Sequence, residues 1–149
     1  GGPVFDPTGK VVGVAFAGLD EADNVGYVIP MPVVQLFLKT VASKGEFGQL
    51  PRLGVRLQST ENRSLRRMLQ LDENGRSGQL IVGVAPLMQV SDLVRSGDVL
   101  MKIDGHLIAD DGTVDAMHGL RLPWDYLITR KPVGDQLALE LLREGKPIS

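Results

Sequence analysis

The pattern of hydrophobic and polar positions changes character near residue 50. Before it, Val4 to Val41 reads as strand, turn, strand, strand and helix. Pro7-Thr8-Gly9-Lys10 puts proline and glycine where a turn uses them, and the apolar run Val11-Val12-Gly13-Val14-Ala15-Phe16 follows as a strand. Asp20-Glu21-Ala22-Asp23-Asn24 is a solvated loop. Gly26-Tyr27-Val28-Ile29 is a strand ended by Pro30. Pro32 suits the first turn of a helix whose apolar positions Val33, Val34, Phe37, Leu38 and Val41 recur at helical spacing. Three short strands and one helix cannot cover both faces of their own sheet, so this segment is not expected to be a complete domain. Ser43 to Gln49 is polar and glycine-rich, a linker.

Beyond it, Leu53, Val55 and Leu57 alternate with Gly54, Arg56 and Gln58 as in a half-buried strand. Asn62 is placed to cap a short helix with Leu65, Met68 and Leu69 on one face and Arg63, Arg66 and Arg67 on a solvated one. The turn Asn74 to Gly78 leads into the strand Leu80 to Val84. Ser96-Gly97-Asp98 opens the strand Val99 to Ile103, and Asp104-Gly105 is a hairpin signal after which His106-Leu107-Ile108 returns. Pro123 begins a helix over Trp124 to Arg130, and Gln136 to Arg143 is a strand with Leu137, Leu139 and Leu141 on one face. Glu144-Gly145-Lys146 starts another hairpin whose last strand is expected to be missing.

Composition narrows the classes. A chain of 149 residues that is 43% hydrophobic and 23% charged has the balance of a globular protein with a core. A net charge of -2 offers no global attraction to phosphate backbones, which argues against nucleic acid as a partner. With no cysteine there are no disulfides or thiolate ligands. The most apolar stretch, Val25 to Leu38, is interrupted by two prolines and a glutamine and is too short to span a bilayer, so no membrane span is expected. His106 and His118 read as surface or capping residues. Asp104, Asp110, Asp111 and Asp115 lack the spacing of a calcium loop, so neither metal nor cofactor is expected. No serine sits in a nucleophile elbow.

The order of short motifs resembles a known family. Arg52-Leu53-Gly54-Val55-Arg56-Leu57, Ser96-Gly97-Asp98-Val99-Leu100 and Asp104-Gly105 are similar to the carboxylate-binding loop, turn and hairpin of a PDZ domain of the kind carried by Do-like (HtrA-type) serine proteases. Asp111-Gly112-Thr113-Val114, His118-Gly119 and Tyr126-Leu127-Ile128 resemble the plant-type branch. Gly1-Gly2-Pro3-Val4, Val11 to Phe16 and Gly26 to Pro30 resemble the end of the family's protease domain. The fold this implies is mainly β with short helices: the last strands and C-terminal helix of a chymotrypsin-like barrel over 1–42, a linker over 43–49, and a PDZ domain over 50–149.

The resemblance further implies an ATP-independent serine endopeptidase of protein quality control. Its nucleophilic serine is expected immediately before Gly1 and its histidine and aspartate further upstream, which leaves this chain inactive alone. Ala15, Phe16, Ala17, Gly26, Tyr27 and Val28 would be walls of the substrate pocket. Arg52, Leu53, Gly54, Val55, Arg56 and Leu57, with Trp124, Leu127 and Ile128 opposite, would bind peptide C-termini with aliphatic last residues, Arg52 or Arg56 adding attraction for the carboxylate. Unfolded protein or peptide C-termini would be the partners. A homo-oligomer would be the state of the full-length parent, and chloroplast, mitochondrion or nucleus the compartment. Two alternatives stay open: a non-enzymatic peptide-binding or scaffolding module, and a groove closed internally that serves assembly. Leu53-Gly54-Val55 also reads, taken alone, as a strand start with a bulge glycine.

Overall fold

The computed structural model describes residues 1–18, 26–46, 48–72, 75–86, 89–117 and 119–148. The acidic loop at 20–24, Asn74 of the expected turn and His118 lie outside the described residues. The chain divides into two compact units, one of residues 1–50 with Thr129–Pro132, the other of residues 51–128 with 133–149.

In the first unit, β1 (Gly2–Phe5), β2 (Val11–Gly18) and β3 (Gly26–Pro30) form an antiparallel sheet in that order, followed by helix α1 (Met31–Lys44). Pro32 lies in the first turn of α1. The helix runs through Ser43 and Lys44, which the sequence suggests as linker, and stops at Gly45, whose N–H bonds back to Val41 O. Gly13 is required by packing: a Cβ there would fall 2.4 Å from Val28 Cγ1 and 2.6 Å from Ile29 O. No residue of α1 is buried, and Phe5, Phe16, Tyr27, Phe37 and Leu38 are exposed. The unit thus leaves open the apolar surface that three strands and a helix cannot cover themselves.

The second unit is built on a sheet in the order β11-β10-β6-β5-β4, formed by β4 (Val55–Gln58), β5 (Gln79–Val84), β6 (Val99–Ile103), β10 (Leu139–Arg143) and β11 (Lys146–Ile148). β7 (His106–Leu107) pairs with β6 across the Asp104-Gly105 turn, and β8 (Thr113–Met117) pairs with β9 (Leu120–Pro123). Short helices α2 (Arg63–Met68) and α3 (Tyr126–Thr129) complete it. β6 lies inside the sheet, and Val99, Leu100 and Met101 are buried in succession, whereas β4 at the edge keeps a half-buried, exposed alternation. Leu71, Val99, Met101 and Leu142 pack as one core cluster with Leu69 against it.

Five expectations are corrected. A strand does return after Glu144-Gly145, since Lys146–Ile148 pairs antiparallel with β10. α3 is shorter than Trp124 to Arg130 because β9 extends through Pro123, paired with Thr113, and Trp124 and Asp125 are used in the turn that follows. In β10 the alternation fails, since Leu141 and Leu142 are both buried; the register with β6 shifts just before them, where Met101 of β6 has no partner on β10. In α2 the Asn62 carboxamide caps Ser64 and Leu65 N–H as expected, but Met68 is 68% exposed. Arg66 does not stand free in solvent but is half-buried and bonded: its Nε donates to Asp72, its Nη1 to Asp110 and its Nη2 to Arg76 O.

Asp98, 2% exposed, fixes the segment before β6. Arg143 Nε and Nη2 donate to its two oxygens at 2.8 Å each, Arg95 N–H donates at 2.8 Å, and Arg143 Nη2 also reaches Leu93 O at 3.1 Å. Burial opposes ionisation of this carboxyl, but the bonds from Arg143 and Arg95 outweigh it and hold its pKa below the ordinary carboxylate value. A depressed folded-state pKa contributes stability that is present above the unfolded value of about 4 and is lost as pH falls through the folded one. Asp98→Asn should therefore lower the unfolding free energy near neutral pH by about 1–3 kcal/mol. The gap between variant and unaltered chain should close below about pH 4 in urea titrations, and a gap that stays constant with pH contradicts the assignment.

Candidate peptide-binding surfaces

Two surfaces gather the residues that the sequence singles out. In the first unit, β2 and β3 align Ala15 with Val28, Ala17 with Tyr27 and Gly18 with Gly26. A bulge between Ala15 and Ala17 leaves Phe16 without a ladder partner on β3, and its side chain is 72% exposed. Tyr27 and Val28 are exposed as well. The six expected wall residues therefore sit on one two-stranded ladder, with Phe16 and Tyr27 standing out from it.

In the second unit the chain enters β4 through Gly54, at φ 74°, a left-handed conformation that an L side chain adopts only under strain. Gly54 O accepts a 2.7 Å bond from Ala85 N–H, which anchors the loop to the end of β5. β4 then pairs with β5 on one side, Val55 opposite Val84 and Leu57 opposite Ile81. Its other side carries no strand among the described residues. Arg52 and Arg56 are exposed, and the Arg56 guanidinium lies over Gly83, where a Cβ would be 3.4 Å from Nη2. That position is on the face of the sheet rather than at the Leu53-Gly54-Val55 loop. Val55, Leu57 and Trp124 are half-buried, while Leu53, Leu127 and Ile128 are buried, Leu127 completely. Leu127 and Ile128 thus belong to the core beneath the surface more than to an open wall.

Hydrogen bonds connect the two sides. Trp124 N–H, just before α3, donates to Gly112 O at 3.0 Å. Thr60 N–H, just after β4, donates to Asp110 O at 3.1 Å. A cavity of about 540 Å³ lies elsewhere in this unit, lined by Met68, Leu69, Leu80, Val82, Gly97 and Glu144 among others, and it contains none of the expected peptide-binding residues. No local signal in the residues points to it, because its lining comes from four separated segments.

The carboxylates have structural duties. Asp110 faces Arg66, and the Asp111 carboxylate caps its own turn through Thr113 N–H and hydroxyl, which together with Arg121 hold its pKa below the ordinary value. Among the described residues no group of three acidic or histidine side chains is placed to hold a metal ion. No described helix is long and apolar enough to cross a membrane.

A sheet edge entered through a left-handed glycine is an arrangement used for strand addition of a peptide. Comparison with known proteins adds a lineage to this geometry. No protein-family model matches the chain. It is 36% identical over 148 residues to Protease Do-like 2, chloroplastic, of Arabidopsis thaliana, which covers 98% of this chain and 24% of that protein. It is 33% identical over 146 residues to Protease Do-like 4, mitochondrial, of the same plant, covering 98% and 28%. Among solved structures, the HtrA-type protease AlgW with a tripeptide matches at TM-score 0.63 and 19% identity over 98% of this chain and 45% of that one. AlgW with a decapeptide matches at TM-score 0.59 and 18% identity over 96% and 41%. The chain is related, over nearly its whole length, to the Do-like (HtrA-type) serine proteases. It spans about a quarter of the length of the curated relatives it matches.

The β2–β3 ladder generates a test of the first surface. Gly13→Val forces a side chain into Val28 and Ile29 O. It should destabilise this unit by about 1–3 kcal/mol, as overpacking does. Amide exchange in β3 should speed up while β5 and β6 keep their protection; unchanged exchange in β3 contradicts the packing role.

Proposed function

We propose that this chain is the substrate-holding part of a Do-like serine endopeptidase, with a PDZ domain over residues 50–149 that takes peptide C-termini along β4. The observation that carries the reading is the edge of β4, which has no second strand partner among the described residues and is entered through Gly54 at φ 74°. A backbone turned over at Gly54 points successive N–H groups toward one spot, which suits a terminal carboxylate. The peptide then continues as a strand antiparallel to Val55-Arg56-Leu57, its last side chain directed toward Trp124 and the helix that holds Leu127 and Ile128. The AlgW structures, described as holding a tripeptide and a decapeptide, support a peptide as the ligand class.

In this reading the β2–β3 ladder, with Ala15, Phe16, Ala17, Gly26, Tyr27 and Val28, flanks the substrate in the protease domain over residues 1–42. The serine, histidine and aspartate of the reaction belong to the whole protein, which degrades unfolded polypeptides without nucleotide and works as a homo-oligomer. An organelle is the compartment this reading favours, because the relatives are named chloroplastic and mitochondrial.

Fluorescence polarisation with a labelled hexapeptide ending in valine tests it. The free acid should bind more than about tenfold tighter than the C-terminal amide, the worth of one charge-assisted hydrogen bond at about 1.5 kcal/mol. Gly54→Val should abolish that difference while leaving the circular dichroism of the chain unchanged. Equal affinity for acid and amide in the unaltered chain would sink the carboxylate assignment.

A further inference from the structure

The buried polar residues behind β4 form a single bonded cluster. Thr60, fully buried, places its hydroxyl between two acceptors, Gly78 O at 2.5 Å and Asp110 Oδ1 at 3.0 Å, while its N–H donates to Asp110 O at 3.1 Å. Gln79, 6% exposed, donates from Nε2 to the same carbonyl at 2.7 Å, so both lone pairs of Asp110 O are used. Arg66 from α2 donates to the other carboxylate oxygen of Asp110. On the far side, Gly112 N–H bonds to Ala109 O at 3.0 Å, the Gln79 carboxamide packs on the Gly112 backbone, and Gly112 O receives Trp124 N–H at 3.0 Å. Hydrogen bonds therefore tie the end of β4 to the 109–112 turn, and that same turn to the residue that leads into α3.

We infer that this cluster is the spacer that fixes the separation of β4 from α3, and that Thr60 is a positioning residue deciding which size of terminal side chain the groove accepts. The inference rests on the peptide-groove reading above. Its physical basis is that buried hydrogen bonds are directional and costly to leave unmade, so a satisfied cluster holds its members within a few tenths of an ångström. An apolar contact at the same place would tolerate sliding. The two elements it joins carry the residues expected to hold the peptide backbone and its last side chain, so the length of the cluster sets the width available to that side chain. Thr60 itself touches no ligand and acts through Asp110 and Gly112.

Thr60→Val keeps the volume and removes the hydroxyl. In the intact chain it is compared with Thr60→Ser against hexapeptides ending in valine, leucine and phenylalanine, as free acids and as amides. Affinity for the valine peptide should fall about fivefold, the worth of one hydrogen bond, and fall less for the phenylalanine peptide, so that preference moves toward the larger residue. Thr60→Ser should restore the original ranking. If Thr60→Val does not fold, Gln79→Met, which removes one bond to Asp110 O, is read in the same way. An equal loss for all three peptides, or no loss, overturns the spacer and leaves the groove reading intact. Equal affinity of acids and amides in the unaltered chain overturns the groove reading and the spacer with it.

Discussion

Arg66 and Asp110 are the contact on which the second unit depends. They are 44 residues apart in sequence, and their pairing joins α2 to the turn that leads into β8. Arg66 spends the rest of its guanidinium on Asp72 and Arg76 O, and Asp110 spends its second oxygen and its carbonyl on Thr60 and Gln79. A partly buried ion pair adds little by itself, because the Coulombic gain offsets desolvation. What it does here is geometric: with its partners satisfied, it admits one arrangement of α2, the end of β4 and the 108–112 segment. Arg66, Asp72 and Asp110 keep some contact with water, whereas Thr60 and Gln79 are buried, so a bond lost at either of these two leaves a polar atom that water does not reach.

The two units solve the burial problem differently. β6, with three consecutive buried residues and strands on both sides, gives the second unit a core that closes on itself. The first unit has one sheet and one helix, and its large apolar side chains remain exposed on both. Exposure of that kind on adjoining strands marks surface that a partner covers or that aggregates. The relatives this chain matches are about four times its length.

Much of this was legible in the residues. The turn at Pro7–Gly9, the cap at Asn62 and the Asp104-Gly105 hairpin are local signals, and each element begins or ends where they say. Strand alternation at β4 was legible for the same reason, since an edge strand has one solvated face. Elements decided by distant partners were not. Pro123 reads as a helix start and is instead a strand end because Thr113 pairs with it. Met68 reads as core and is exposed, although Leu65 and Leu69 on the same side of α2 are half-buried. Arg66 reads as a solvated face because nothing in Arg63 to Arg67 announces Asp110. At the candidate site, the left-handed conformation of Gly54 is one that glycine permits, whereas the burial of Leu127 and Ile128 is a matter of tertiary packing and has no local signature.

The burial of Leu127 and Ile128 bears on how the groove would divide affinity from specificity. If those side chains are core, they offer little surface to a ligand, and the backbone of β4 must supply most of the binding through hydrogen bonds that every sequence can make. Discrimination would then rest on the half-buried Val55, Leu57 and Trp124 and on how far apart the backbone holds them. Width is a property of the framework, and in the spacer reading it would be set by polar contacts at Thr60, Gln79 and Asp110. Recognition of an aliphatic terminus would in that case be controlled by buried polar residues that never meet it.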